Sequence, residues 1–143
     1  MTFQDAAVAH MVEEIEWNEE QLDTLNYTSE HTLVLTTVRD HTVPVSVLLY
    51  EEKPALALEQ YDHVVECGLT MHSNTAVLYG VIDALADRRR IPLAAGLYGV
   101  WLCYQNLNSI DEFGLEGEDC YTILLWKENT RLPKRILKQA LPT

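Results

Sequence analysis

From Leu97 to Trp126 the chain passes through two aromatic, apolar runs that bracket a glycine-punctuated acidic loop. No other stretch limits the possible folds as much. The first run reads Leu97-Tyr-Gly-Val-Trp-Leu-Cys-Tyr104 and the second Cys120-Tyr-Thr-Ile-Leu-Leu-Trp126. Aromatic and β-branched runs of this length, broken by turn residues, favour strands over helices. The loop between them carries Asp111, Glu112, Glu116, Glu118 and Asp119, with Phe113 and Leu115 interspersed. Such a unit is a rigid β scaffold displaying concentrated negative charge, a surface that a basic protein would recognise.

The rest of the chain extends the β pattern. His31 to Val38 and Val43 to Tyr50 are β-rich runs separated by Arg-Asp-His-Thr, short enough for a hairpin turn. Tyr61 to Met71 alternates, with Tyr61, His63, Val65, Cys67, Leu69 and Met71 on one face. Residues 76 to 87 are ambiguous: Ala84, Leu85 and Ala86 favour a helix, whereas Val77, Tyr79, Val81 and Ile82 favour a strand. Arg88 to Arg90 reads as a solvated basic turn, and Ala94-Ala95-Gly96 as a turn into the Leu97 strand. At the N-terminus, Val8, Met11, Val12 and Ile15 recur at helical spacing, which predicts a short amphipathic helix over about residues 4 to 16. The expected architecture is all-β: a single-domain antiparallel β-sandwich over residues 31–126. A short N-terminal helix and acidic connection precede it (1–30), and a basic tail follows (127–143).

Charge narrows the partners. Lys127, Arg131, Lys134, Arg135 and Lys138 against Glu128 give the tail +4, which leaves −16 on the preceding 126 residues of a chain whose net charge is −12. A body so acidic repels phosphate and anionic lipid, so direct nucleic-acid and membrane partners are not expected. A signal peptide and membrane-length apolar runs are not evident. Cys67, Cys103 and Cys120 lack CxxC spacing and lie in or beside apolar runs, as buried free thiols of a cytoplasmic protein would.

Catalytic and metal motifs find little support, and no cofactor is expected. His63 and Glu66 form an H-x-x-E pair, but on a strand residues three apart face opposite ways, so a core histidine is the simpler reading. The 111–119 loop lacks a calcium-loop register and places Phe113 and Leu115 where ligands would fall. Those apolar residues suit a buried anchor ringed by charge, so Asp111, Glu112, Phe113, Leu115, Glu116, Glu118 and Asp119 are the candidate partner-binding residues. The alternative from another class is a small-ligand or carbohydrate-binding sandwich with Trp101, Tyr104, Tyr121 and Trp126 as an aromatic platform.

Several segments carry a family likeness: Val43 to Leu58, Tyr61-Asp-His-Val-Val-Glu-Cys-Gly-Leu69, Ile91 to Val100 and Leu115 to Trp126. Over about residues 31 to 137 the chain resembles a group of small bacterial proteins similar to competence protein J, a nuclease inhibitor. The resemblance implies a β-sandwich, with residues 76 to 83 a strand rather than a helix. It also implies a stoichiometric inhibitor or immunity protein for a nuclease-like toxin, which the acidity of this chain would make a basic one.

Overall fold

The computed structural model describes residues 2–8, 26–35, 45–80, 89–110 and 117–140. Their strands build two five-stranded sheets. The first holds β1 (Thr2–Asp5), β2 (Asn26–Thr28), β3 (Thr32–Leu35), β6 (Thr75–Tyr79) and β7 (Arg89–Pro92), in the order β2-β3-β1-β6-β7. The second holds β4 (Val45–Tyr50), β5 (His63–Met71), β8 (Gly96–Gln105), β9 (Cys120–Lys127) and β10 (Arg135–Lys138), in the order β10-β5-β8-β9-β4.

Strand alternation sends one set of side chains between the sheets. Val65, Cys67, Leu69 and Met71 of β5 join Tyr98, Val100, Leu102 and Tyr104 of β8 and Tyr121, Ile123 and Leu125 of β9. They pack against Phe3, Leu33, Leu35 and Ala76 of the first sheet. The other face of the second sheet is also buried. There Val64, Trp101, Cys103, Leu124 and Trp126 form a second core, packed against Leu56 and Tyr61 from one crossing segment, Leu132 from another and Leu137 of β10. Burial on both faces explains why β8 and β9 read as almost continuous apolar runs.

Two glycines make that second core possible. Gly68 and Gly99 face each other in the β5–β8 register. A Cβ on Gly99 would sit 2.2 Å from the Trp126 ring, and one on Gly68 would sit 2.9 Å from the Leu132 carbonyl oxygen. The bare backbone lets an indole and a crossing chain lie directly on the sheet.

Several expectations change. The N-terminal helix gives way, where the chain is described, to β1 and a single 3-10 turn at Ala6–Val8; the remainder of that predicted helix lies outside the described residues. Thr2 to Gln4 pair with β3 and Thr2 to Asp5 with β6, so strand pairing overrides the helical spacing. The two runs expected to form a hairpin enter different sheets, β3 in the first and β4 in the second. β4 pairs with β9 in parallel, so the second sheet is mixed rather than purely antiparallel. Arg89 and Arg90 belong to a strand, not a turn, and the basic tail supplies β10, which pairs with β5. The strand reading of residues 76 to 83 holds through Tyr79; residues 81–88 lie outside the described residues.

Asp5 ties the first sheet to the β5–β6 turn. Burial alone would raise its pKa. Hydrogen bonds donated by the Ser73 hydroxyl and by the backbone N–H groups of Ala7 (3.0 Å), His72 (2.6 Å) and Ser73 (3.2 Å) outweigh it and hold the carboxyl below its ordinary value.

Candidate functional site

The β8–β9 connection leaves the sheet through a short, well-bonded neck. Asn106 takes a left-handed conformation (φ 58°), and a 3-10 turn at Leu107–Ser109 follows. The Leu107 N–H donates to the Asp62 carboxylate at 2.8 Å, fixing the outgoing strand. On the return side, the Glu118 N–H donates to the Ser109 hydroxyl oxygen at 2.8 Å, while the Asn106 side chain donates to the Glu118 carbonyl at 3.2 Å. Gly117 fits closely, since a Cβ there would lie 3.0 Å from the Ile110 backbone.

Of the candidate contact residues, Asp111, Glu112, Phe113, Leu115 and Glu116 lie outside the described residues. Glu118 is exposed at the end of the neck. Asp119 is not a surface charge. Its side chain is fully buried and accepts a hydrogen bond from the Tyr121 hydroxyl at 2.7 Å. It therefore anchors the start of β9 and cannot act as a steering charge on the rim, a correction to the expected set.

The four aromatics of the alternative reading do not form a platform. Trp101 and Trp126 lie on the outer face of the second sheet with ring centres 4.5 Å apart. Tyr104 and Tyr121 point the opposite way, into the core between the sheets, in edge-to-face contact at 5.4 Å. All four are buried. No shared exposed face is left for a sugar or flat ligand to stack on.

His63 and Glu66 also separate as strand parity requires. His63 is buried beside Tyr104, and its Nδ1 accepts a hydrogen bond from the Ala140 N–H at 3.0 Å. Glu66 lies on the other face, where it accepts a hydrogen bond from the Trp101 indole N–H at 3.0 Å. Lys53 and Arg135 approach it at 3.4 and 3.5 Å. The Lys53 ammonium also sits over both tryptophans, 5.5 Å from the Trp101 ring centre and 5.4 Å from that of Trp126. This knot closes the covering segment over the second core. Sequence reasoning missed it because its members lie far apart along the chain and meet only through strand pairing, where Glu66 faces Trp101 in the β5–β8 register.

The three thiols are free; Cys67 and Cys103 are buried and Cys120 is partly so. Burial pushes Cys67 and Cys103 up to about 12 and raises Cys120 as well, the last with help from Asp119. Thiols held protonated in this way are poor nucleophiles.

Among the described residues, no helix is long and apolar enough to cross a membrane. No protein-family model matches the chain, and no curated protein matches its sequence. Among solved structures, the fold is similar to that of ComJ from Bacillus subtilis, described as the inhibitor of the DNA-degrading activity of NucA. The two share 12% sequence identity, the match covers 89% of this chain and 86% of that one, and the TM-score is 0.67. The architecture of this chain is thus a ComJ-like β-sandwich.

Proposed function

We propose that this chain is a non-catalytic protein that binds and inhibits a basic protein partner, a nuclease or nuclease-like toxin. The observation that carries the reading is the shared fold with a nuclease inhibitor over nearly the whole of both chains. The net charge of −12 supplies the sign of the partner. Charge of this kind raises association from a neutral 10⁵–10⁶ toward roughly 10⁸ M⁻¹s⁻¹, useful when a toxin must be caught before it cuts. We assign the action to the cytoplasm, a reading in keeping with the unpaired, buried Cys67 and Cys103.

In this reading the β8–β9 loop is a contact surface. Asp111, Glu112, Glu116 and Glu118 supply steering, and Phe113 and Leu115 supply apolar anchoring, while the buried Asp119 holds the base of the loop. Support comes from the bonded neck, which ties Asn106 and Ser109 to Glu118 at the two ends of the connection.

The test is titration of the purified protein into plasmid cleavage by NucA and by a panel of basic DNA-degrading nucleases. The expected result is stoichiometric loss of cleavage, with an association rate that falls as salt rises. No inhibition across the panel at molar excess would sink the proposal. Once a partner is in hand, neutralising Glu116 and Glu118 should slow association. Phe113→Ala should speed dissociation, by about 2 kcal/mol if it is a hot spot.

A further inference from the structure

We propose that the outer edge of β4 is a docking strand that accepts an extended segment of a basic protein, adding a sixth strand to the second sheet. The inference rests on the inhibitor reading for the partner's class and on a comparison of sheet edges for the place.

The two sheets end in four edge strands. Three are blunted. β2 has only three residues. β7 exposes Arg89 and Arg90 and ends at Pro92. β10 has four residues, carries Arg135 and Lys138, and shifts register at Ile136/Lys138. Short length, cations, proline and bulges are the usual guards against pairing with another chain. β4 follows Pro44, but its own six residues contain none of these. It runs six residues, Val-Ser-Val-Leu-Leu-Tyr, uncharged and in unbroken register with β9, and no described strand pairs with its other side.

Its surface is apolar as well as unguarded. Leu48, Leu49 and Tyr50 are 43%, 52% and 39% exposed, three of the four large hydrophobics that the described residues expose. Beside them a groove of about 390 Å³ opens between the sheets, lined by Val45, Val47 and Leu48 of β4 and by Leu78, Arg89 and Ile91 opposite. Hydrogen bonds from an added strand would supply affinity, and the groove would receive alternate side chains.

Charge selects the occupant. Glu51 and Glu52 continue directly from Tyr50 and are exposed, giving the apolar strand an acidic end. The next residue, Lys53, has its ammonium turned onto Glu66 and the two indoles. Arg89 rims the groove toward the Val45–Leu48 half, so a bound segment would place its cations toward Tyr50. A second copy of this chain is the poorer fit, because pairing would bring two bodies of net charge −12 together.

The test has two arms. A short peptide of alternating lysine and valine, and its glutamate–valine counterpart, are added to the labelled protein and followed by backbone amide NMR. The cationic peptide is expected to shift the amides of Val45 to Tyr50, and the anionic one to leave them in place. Cationic shifts elsewhere, equal shifts by both peptides, or concentration-dependent self-pairing through β4 would overturn the inference. In the second arm, wild type and Leu49→Glu are titrated into NucA, the nuclease that the structural neighbour inhibits. The substitution adds a negative charge, so binding by charge alone would tighten, whereas docking on β4 should weaken inhibition by about tenfold. Unchanged or tighter inhibition by a folded Leu49→Glu overturns the docking strand and leaves the inhibitor reading standing. If NucA is untouched by wild type while the cationic peptide still maps to β4, the edge stands and that nuclease falls.

Discussion

β4 and β9 lie side by side, parallel and in register, and their sequences are nearly alike. Val-Ser-Val-Leu-Leu-Tyr of one faces Tyr-Thr-Ile-Leu-Leu-Trp of the other, position for position. Their fates differ. Leu124, Leu125 and Trp126 are 6%, 1% and 1% exposed, against 43%, 52% and 39% for Leu48, Leu49 and Tyr50. β9 has a strand on each side and Trp101 beside Trp126 on its outer face, whereas β4 ends the sheet. Burial here is a property of place in the sheet and not of composition. An edge strand as apolar as its buried neighbour is also the one suited to gaining a neighbour of its own.

The pair can be tested by matched truncation. Trp126→Ala should cost about 3–5 kcal/mol of unfolding free energy, as for a large aromatic removed from a core. Tyr50→Ala, at the register-matched site, should stay within about 0.5 kcal/mol, as for a surface position. Chemical denaturation of both variants measures the contrast, and equal losses would mean that β4 is covered. Next in size, Gly99→Ala should cost about 1–3 kcal/mol, because the added methyl meets the Trp126 ring and one of them must move. A neutral result would show that the indole does not rest on the sheet.

Lys53→Ala is a smaller perturbation of the same cover. The lysine side chain is half exposed, so its ion pair with Glu66 is screened by solvent. With the cation–π contacts included, the loss should be about 0.5–1 kcal/mol and should shrink as salt is added. Thiol labelling needs no substitution. In the native protein Cys120 should react first, and Cys67 and Cys103 only on unfolding, because both are buried and held protonated up to about 12. Rapid native labelling of Cys103, which pairs with Thr122 of β9 in register, would show that the sheet opens there.

The sequence by itself determined that the chain is β-rich, where its main strands β5, β8 and β9 run, and which of their residues share a face. These are consequences of side-chain chemistry and the two-residue period, both local. The second buried face was not read from the sequence; it emerged only with the crossing chain packed on Gly68 and the Trp126 ring on Gly99. The acidity of the body and the free thiols were legible because charge and residue type are carried by composition.

Tertiary structure decided the rest. The helical spacing near the N-terminus yielded to β1 where the chain is described, because the backbone groups of Thr2 to Asp5 are claimed by strands far along the chain. The short gap between the β3 and β4 runs suggested a hairpin, yet each found its partners elsewhere and β4 settled parallel to β9. Asp119 had the sequence context of a loop acid and became a buried acceptor for Tyr121. Near-twin strands ended with opposite exposure. Pairing joins residues distant in sequence through backbone groups that every residue shares, so order within a sheet leaves little trace in any one segment.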